Sequence, residues 1–334
     1  MSHLPEDLAA DIEKLLADTH PRLLARTVSA LSRRYRTEYG KSTPRLGPGA
    51  IERLAYLAFR APATHGAAGA VLAEAARRRP DLRPISLMDI GAGPGLEIWA
   101  ARYQWPSLSQ VTAVECDPEM LRIGRRLTCR TLVESSVDWL PLDHRGIPSL
   151  PRADVSLASY LLGELSANGR QLTIESMWEA TGHLCIVIEP GTPAGCGVIR
   201  AATDSLAAVG AHILAPFPRE WECSASPDDW THFSARISRR RRHRTLKGGE
   251  LAYEDEKYAY VIASRIAGVT FAGRVVRHPQ TRTGHVRVLV RTVQGVQEIV
   301  ASNSQGARYR RAKELRWGDA LSFDDARLLL PTGT

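Results

Sequence analysis

The spacing of apolar residues divides the chain into three regions. Up to residue 84 the apolar positions recur at helical intervals, as at Ile51, Leu54, Ala55 and Ala58, and an alanine-rich stretch stops at Pro80. Two prolines and two glycines within residues 41–49 predict a loop between helices. Residues 1–84 are therefore predicted to form an N-terminal helical region.

From residue 85 short apolar runs alternate with helical stretches, which predicts βαβ units and a mostly parallel sheet, an α/β fold. Beyond residue 269 apolar residues alternate with period two, which predicts a small antiparallel β-domain. We assign residues 85–266 to the α/β core, with a basic insertion at about 215–250, and residues 267–334 to the β-domain. The predicted core strands are ISLMDI, VTAVE, DVSLASY, LCIVIEP, AHILAP and YAYVIASR.

Composition excludes several classes of protein. With 44% hydrophobic and 24% charged residues in 334, the chain is too apolar for a disordered protein. It has no apolar run of about 18 residues, so no membrane partner is expected, and its acidic, helical start does not resemble a cleavable leader. An odd number of scattered cysteines argues against a disulfide framework and predicts a reducing, cytoplasmic location. These are Cys116, Cys129, Cys185, Cys196 and Cys223.

Positive charge is concentrated in one region. Residues 231–316 contain 19 Lys and Arg against 6 Asp and Glu, whereas the rest of the chain has a net charge of −5. This excess predicts an anionic partner, and nucleic acid is favoured over a membrane because no apolar amphipathic face accompanies it. A merely solubilising surface is the alternative.

The candidate RNA-binding groups form two clusters within that region. The consecutive basic residues 239–244 are not expected to be paired entirely within the chain, because their acids lie elsewhere in the sequence, so they are free to neutralise phosphates. The second cluster places an aromatic residue among cations in the predicted β-domain. The residues are Arg239, Arg240, Arg241, Arg242, Arg244, Lys247, Arg308, Arg310 and Arg311.

A glycine-rich turn follows the first predicted core strand. Asp89 precedes the sequence Gly91-Ala-Gly93-Pro-Gly95, and the next strand ends at Glu115. Glycines allow positive φ and close approach of a ligand to the backbone, the following helix offers free N–H groups, and an acid at the second strand can accept both hydroxyls of a ribose. Dinucleotide-binding sheets use a related turn, but their third glycine would fall at Leu96.

DIGAGPG followed by AVECDPEML resembles motif I and its acidic partner in class I S-adenosylmethionine-dependent methyltransferases. The resemblance implies a Rossmann-like sheet and S-adenosylmethionine as cofactor. Carried over by position, Asp89, Gly91, Gly93 and Gly95 line the methionine and ribose side, and Glu115 holds the ribose. Asp138 lies near the adenine, in a stretch that matches the family loosely. A nucleotide-binding or ligandless sheet is the alternative.

Strings over residues 30–321 resemble one branch, the methyltransferase-like family associated with the mitochondrial small ribosomal subunit and its bacterial relatives. They are AYLAFRAPATHGAAGAVL, DVSLASYLLGEL, IEPGTPAG, DDWTHF, LKGGELAYEDEKYAYV and WGDAL. The resemblance implies association with the small ribosomal subunit and its rRNA, and a role in assembly or translation. Members often carry a four-cysteine iron–sulfur site. Here Phe217, Thr231 and Arg291 stand at three of its positions and only Cys223 remains, so we expect no cluster and no metal.

The segment after the fourth core strand faces methyl donor and substrate in class I enzymes. There Tyr160 is a candidate to stack on a base, and Glu164 is a candidate to orient or deprotonate a nucleophile; core packing and a helix-start acid are the alternatives. The acceptor atom and the oligomeric state are not specified. Three functions stay open: a methyltransferase acting on the small subunit, a non-catalytic RNA-binding assembly factor, and a diverged methyltransferase acting on a small molecule or peptide.

Overall fold

The computed structural model describes residues 1–37, 49–129, 136–142, 150–219, 221, 230–247 and 251–330. Its helices are α1 (Glu6–Leu16), α2 (Pro21–Thr37), α3 (Ala50–Arg78), α4 (Leu96–Gln104), α5 (Pro118–Thr128), α6 (Ala167–Ala180), α7 (Pro193–Ala208), α8 (Arg241–Lys247), α9 (Ala307–Glu314) and α10 (Phe323–Leu329). Its strands are β1 (Ser86–Ile90), β2 (Gln110–Val114), β3 (Ser136–Leu140), β4 (Ala153–Ser159), β5 (Thr181–Pro190), β6 (His212–Ala215), β7 (Phe233–Ser238), β8 (Tyr253–Ser264), β9 (Gly273–Val275), β10 (Gln280–Arg282), β11 (His285–Thr292), β12 (Gly295–Ser302) and β13 (Ala320–Leu321).

The central sheet has the strand order β3-β2-β1-β4-β5-β8-β6, and β7 extends it along β8. Strands β1 to β5 are parallel, whereas β8 runs antiparallel to β5, β6 and β7. The chain leaves β1 in one direction towards β2 and returns on the other side as β4, which creates the crevice where open α/β sheets bind ligands. The prediction of an α/β fold with a Rossmann-like, mostly parallel sheet, an N-terminal helical region and a small antiparallel β-sheet is confirmed.

The N-terminal helices pack onto the core rather than forming a separate unit. Leu8, Ile12 and Leu16 of α1 and Leu24 and Val28 of α2 share one buried cluster with side chains of α3, α4 and α5. The burial of this apolar stripe fixes α1 and α2 against the side of the sheet that carries the glycine turn.

Helix α3 has 29 residues and contacts both the central sheet and the second sheet. It runs uninterrupted through Pro62. Along it Arg53 pairs with Asp117 at the start of α5, Arg60 pairs with Glu256 of β8, and Glu74 pairs with Arg274 of β9.

The second sheet is antiparallel, with the order β10-β11-β9-β13 and with β12 paired to β11. Its inward side chains, among them Val275, Val286, Val288, Val290 and Ile299, form a separate core covered by α9 and α10. This agrees with the period-two pattern.

The exact domain boundaries at residues 84 and 266 stay predictions. Of the predicted loop at residues 41–49, only Gly49 lies within the described residues.

Candidate functional site

The glycine turn connects β1 to α4 and is open on one side. Gly91, Gly93 and Gly95 have φ values of 71°, 51° and 79°, a region that favours glycine. A Cβ added to Gly91 would lie 2.9 Å from Leu161, whereas a Cβ added to Gly93 would meet nothing within 4 Å. Gly95 begins α4 without a side-chain cap. The turn therefore leaves room beside Gly93 and leads directly into the N-terminus of α4, an end of a helix that suits a polar ligand.

Glu115 follows β2 and lies against this turn. Its carboxylate accepts hydrogen bonds from the N–H of Gly93 (2.8 Å) and of Asp117 (2.7 Å). Burial raises the pKa of Glu115, and the backbone hydrogen bonds oppose that rise. Asp117 caps α5 by accepting from the N–H groups of Glu119 and Met120, and Arg53 of α3 binds it. Hydrogen bonds from the glycine turn and from the residue that caps α5 thus hold Glu115, the acid predicted to bind a ribose, beside Gly93.

Two further acids are buried beneath the turn. Asp89, at the end of β1, is 1% exposed, and neither carboxylate oxygen has a hydrogen-bond partner among the described residues. Glu97 in the first turn of α4 is 5% exposed. Burial, Glu97 and Glu115 raise the pKa of Asp89 well above its ordinary value. Burial raises the pKa of Glu97 to about 7, opposed by Ser159 and Arg60. A cationic ligand would supply the partner that Asp89 lacks.

The last candidate cofactor residue, Asp138, is not brought to the turn. It lies within β3, two residues before the strand ends, and it is exposed. Its neighbours in register are Thr112 and Met88, so its side chain projects from the face opposite that of Asp89. The next residue, Trp139, packs its ring against Gly124 of α5 and is buried. Contact between Asp138 and an adenine stays a prediction.

Tyr160 directly follows β4 and has a φ of 56°, a strained conformation for a residue other than glycine. Its hydroxyl donates to Glu256 (3.1 Å), and Arg60 binds the same carboxylate with two nitrogens at 2.8 and 3.2 Å. The guanidinium carbon of Arg60 lies 5.0 Å from the centre of the Tyr160 ring. Burial and Glu256 raise the pKa of Tyr160, against the effect of Arg60. Tyr160 is therefore a protonated, fixed hydrogen-bond donor.

Glu164, the other candidate catalytic residue, is exposed in a short 3-10 turn at residues 162–164. Its role in orienting or deprotonating a nucleophile stays a prediction. The fully buried Glu189 at the end of β5 accepts from the N–H of Gly163 (3.1 Å) and holds this turn in place.

Three site residues were not identified from the sequence: Arg60, Glu97 and Glu256. Arg60 and Glu256 lie 196 positions apart, so no local pattern links them. The available signal was that both occur in strings that carry the family resemblance, AYLAFRAP and LAYEDEKYAYV.

The arginine run is more paired than its sequence predicts. Arg239 binds Glu254 (2.6 Å), Arg240 binds Glu6 (2.7 Å) and Arg242 binds Glu13 (2.9 Å). Acids of β8 and of the distant α1 thus pair three arginines of the run within the chain. That the run is not paired entirely stays a prediction. Arg244 is half-buried, and the side chains of Arg241 and Lys247 lie outside the described residues.

The C-terminal arginines differ among themselves. Arg311 binds Asp325 (2.6 Å), and Arg308 donates to the carbonyl of Leu329 (2.8 Å). The side chain of Arg310 is exposed and has no hydrogen bond or ion pair to the described residues. RNA contact by either arginine cluster stays a prediction.

Residues other than cysteine stand at three of the four positions where the family has cysteines. The guanidinium of Arg291, which is 3% exposed, lies 5.2 Å from the centre of the Phe217 ring. The carbonyl of Thr231 accepts from the thiol of Cys196 (2.9 Å). A phenyl ring and a guanidinium offer no thiolate, so these residues do not fit an iron–sulfur cluster. Cys223 lies outside the described residues. Within the described ranges, no three His, Cys, Asp or Glu side chains are grouped to hold a metal ion.

None of the helices in the described part of the chain combines the length and apolarity needed to cross a membrane. The four cysteines that lie in described segments are free thiols.

The chain is similar to several known proteins. The chain is 27% identical over 289 residues to the human protein named ribosome assembly protein METTL17, mitochondrial; the match covers 80% of this chain and 62% of the relative. Magnesium protoporphyrin IX methyltransferase from Synechocystis, solved with bound S-adenosylmethionine, aligns with 80% of this chain and 100% of its own at a TM-score of 0.42 and 11% identity.

The N-methyltransferase NodS from Bradyrhizobium japonicum aligns with 71% of this chain and 97% of its own at a TM-score of 0.39 and 12% identity. The model of the family described as mitochondrial small ribosomal subunit Rsm22 matches residues 50–322. This match spans most of the chain, including the glycine turn, the arginine run and most of the β-domain, so the protein belongs to the Rsm22 family.

Proposed function

We propose that this protein binds S-adenosylmethionine at the glycine turn and acts on the small ribosomal subunit, as a methyltransferase or methyltransferase-like factor in its assembly. The observation that carries the cofactor proposal is the arrangement at Gly93. The buried carboxylate of Glu115 accepts a hydrogen bond from the N–H of Gly93, and the space where a Cβ of Gly93 would lie is open. Asp89, at the end of β1, has no hydrogen-bond partner among the described residues.

The residues present fit this cofactor. Glu115 would accept the ribose hydroxyls in place of its bonds to Gly93 and Asp117, and the α4 N-terminus and Asp89 would meet the methionine end. The cofactor supplies an electrophilic methyl group on a sulfonium. Tyr160, fixed by Glu256 and Arg60, would then orient an acceptor at the end of β4, so positioning supplies most of the catalysis.

A matched glycine pair tests the cofactor site. Gly93 and Gly210 both have positive φ, and a Cβ on either would meet nothing within 4 Å, so Gly93→Val and Gly210→Val strain the backbone similarly. We expect calorimetry to show that Gly93→Val loses S-adenosylmethionine binding while Gly210→Val retains it. Equal affinities for the two variants would overturn the assignment.

Transfer itself is tested by incubating the protein and labelled S-adenosylmethionine with small ribosomal subunits, their naked rRNA, and cell extract. Label in the rRNA supports the methyltransferase. Label in no fraction supports the second candidate, a non-catalytic RNA-binding assembly factor. That candidate is favoured by the placement of Tyr160, whose hydroxyl already donates to Glu256.

The proposed partner is small-subunit rRNA, and no membrane is involved. Arg310 in the β-domain supports it, because its exposed side chain has no hydrogen bond or ion pair among the described residues. Salt-sensitive binding to rRNA would exclude the third candidate, a diverged methyltransferase with a small-molecule or peptide substrate. The free thiols are consistent with the proposed cytoplasmic location.

A further inference from the structure

A cavity of about 320 Å³ lies between α1, α3 and the arginine run at residues 239–244. The described residues that line it include none from the glycine turn or from β4, so it is separate from the proposed cofactor site. Nine of the sixteen are apolar, among them the buried Ile12 of α1, Leu57 and Ala61 of α3, and Leu246 of α8. This size and lining are typical of sites for small molecules.

The cavity has room for a medium-chain ligand. An apolar cavity of about 150 Å³ takes up benzene, so by proportion this one has room for about twelve carbon atoms. No Phe, Tyr or Trp is among the described residues that line it, so they offer no large ring on which a nucleobase could stack. An aliphatic chain is the body that fits side chains such as Leu16, Leu57 and Ala61.

Two arginines of the run place positive charge at the wall of this cavity. Arg240 is paired with Glu6 of α1 (2.7 Å), and Arg242 is paired with Glu13 (2.9 Å). The guanidinium of Arg242 also donates to the carbonyl of Leu16 (3.1 Å), which holds it in place independently of Glu13. The side chains of Glu6 and Glu13 are 88% and 40% exposed. Because exposed ion pairs contribute little to stability, both acids can turn into solvent.

The other described residues at the wall add no negative charge. Apart from Glu6 and Glu13, they include no acid. His243 lines the cavity too, and it lies 3.7 Å from Glu254, whose carboxylate also binds Arg239 at 2.6 Å. The charge that stays at the wall when the acids of α1 turn away is therefore positive. A carboxylate suits it, because guanidinium groups bind carboxylates through charge-assisted hydrogen bonds.

We infer that this cavity binds a medium-chain aliphatic carboxylate of about eight to twelve carbons. Its chain lies against Leu57 of α3, and its carboxylate binds at Arg240 and Arg242 in place of the acids of α1. The site goes beyond the proposed function, because it requires neither S-adenosylmethionine nor RNA.

Calorimetry with octanoate tests the class of ligand. We expect one octanoate to bind per chain. Octan-1-ol has the same chain and no charge, and it should bind at least about tenfold more weakly because it forms no charged hydrogen bonds. Acetate has the charge without the chain and should not bind at the same concentrations. Equal affinities for octanoate and octan-1-ol, or no octanoate binding at up to about 10 mM, would overturn the inference.

Two double variants locate the site. Arg240→Gln/Arg242→Gln should raise the Kd for octanoate at least about tenfold. The control Arg122→Gln/Arg327→Gln removes the same charge from two other ion pairs near the surface and should bind octanoate as the wild type does. All four arginines belong to pairs of this kind, so we expect both variants to fold, and urea denaturation checks it.

Gly93→Val separates this inference from the cofactor proposal. The variant is expected to lose S-adenosylmethionine binding, and it should keep the octanoate affinity of the wild type. If the Arg240→Gln/Arg242→Gln variant binds octanoate as tightly as its control, the ligand lies elsewhere and the inference is overturned, whereas the cofactor site is unaffected.

Discussion

Glu97 shows at the scale of one residue how burial makes folding depend on pH. Its pKa is about 7 in the folded protein and near 4.5 in an exposed chain. The folded state therefore binds the proton more tightly than the unfolded state. The stability that this group contributes is complete below about pH 4.5 and is lost as the pH rises through 7.

Replacing Glu97 by Gln removes that loss. We expect the difference in free energy of unfolding, Glu97→Gln minus wild type, to rise by about 3 kcal/mol between pH 4.5 and pH 8. Urea denaturation over a pH series measures it. The control Glu119→Gln should show no such rise, because Arg122 lowers the pKa of Glu119. Parallel stability curves for Glu97→Gln and wild type would refute the assignment of Glu97 as a buried acid.

The glycine and acid positions at the glycine turn could be predicted from the sequence because the turn is local. Gly91, Gly93, Gly95 and Glu115 all fall within 25 residues, and their spacing fixes their geometry. Arg60 could not be predicted in the same way, since its role depends on Glu256 in a distant strand. Tyr160 was identified, but its bonded state depends on that same pair.

At the scale of elements, ion pairs join segments that are far apart in the sequence. Arg274 of β9 is 1% exposed; its guanidinium binds Glu74 of α3 and donates to the carbonyls of Pro216 and Gly318 at 2.7 Å each. Burial raises the pKa of Glu74, but Arg274, Arg78 and Arg77 together lower it below its ordinary value. This contact holds the second sheet to α3.

Glu74→Gln would leave Arg274 and Arg78 buried without their counter-charge. We expect the free energy of unfolding to fall by about 3–5 kcal/mol. Glu298→Gln is the matched control, because its pair with Arg287 is more than 40% exposed on both sides, and it should cost under about 1 kcal/mol. Denaturation with urea compares the two, and equal losses would contradict the structural role of the buried pair.

The packing of α1 beside α8 bears on RNA binding. The N–H of Ser2 donates to the carbonyl of Arg236 (2.7 Å), and Glu6 and Glu13 neutralise Arg240 and Arg242. These pairs are exposed, so each contributes little to stability, but each occupies a cation that a phosphate would otherwise bind.

The double variant Glu6→Gln/Glu13→Gln should therefore bind an rRNA fragment more tightly. We expect the slope of log K against log salt to steepen by up to about two. Fluorescence polarisation over a potassium chloride series measures it. The control Glu119→Gln/Asp324→Asn removes the same net charge from pairs with Arg122 and Arg327. If the control steepens the slope equally, general charge rather than these arginines controls binding.

Secondary structure followed the sequence where the pattern was strong and local. The runs ISLMDI and DVSLASY became β1 and β4 because continuous apolar residues suit a strand buried on both faces. Strands β3 and β7 were not predicted. Strand β3 (SVDWL) has a charged residue at its centre, and β7 (FSARIS) pairs with the charged half of β8, so neither carries a continuous apolar run. Helix α8 was read only as a charge run, although Leu246 buries against the N-terminal helices.

At the scale of the whole molecule, the family's metal position joins the core to the second sheet. Phe217 follows β6 and Arg291 belongs to β11, so their contact connects the same parts that cysteines would have connected. Phe217 also packs against Trp221 at 5.8 Å between ring centres, and Trp221 against Phe271 at 5.1 Å. An aromatic cluster occupies this junction.

We accordingly expect the protein to hold no iron–sulfur cluster. Purified without oxygen and incubated with iron and sulfide, it should contain far less than one iron per chain and show no visible absorbance. Cys223→Ala should give the same result, because one thiolate cannot anchor a cluster. Stoichiometric iron that disappears in Cys223→Ala would show that other ligands complete the site.

Helix α3 has a further consequence for which sequence changes the molecule tolerates. Arg53, Arg60 and Glu74 are separated by 7 and 14 residues, multiples of the heptad, so they project from nearly the same side of the helix over about 30 Å. One inserted residue after Pro62 would turn Glu74 by about 100° relative to the two arginines. The pairs of Arg53 and Arg60 and the pair of Glu74 with the second sheet could then not form at the same time. We therefore expect the number of residues in α3 between Arg60 and Glu74 to tolerate no insertion.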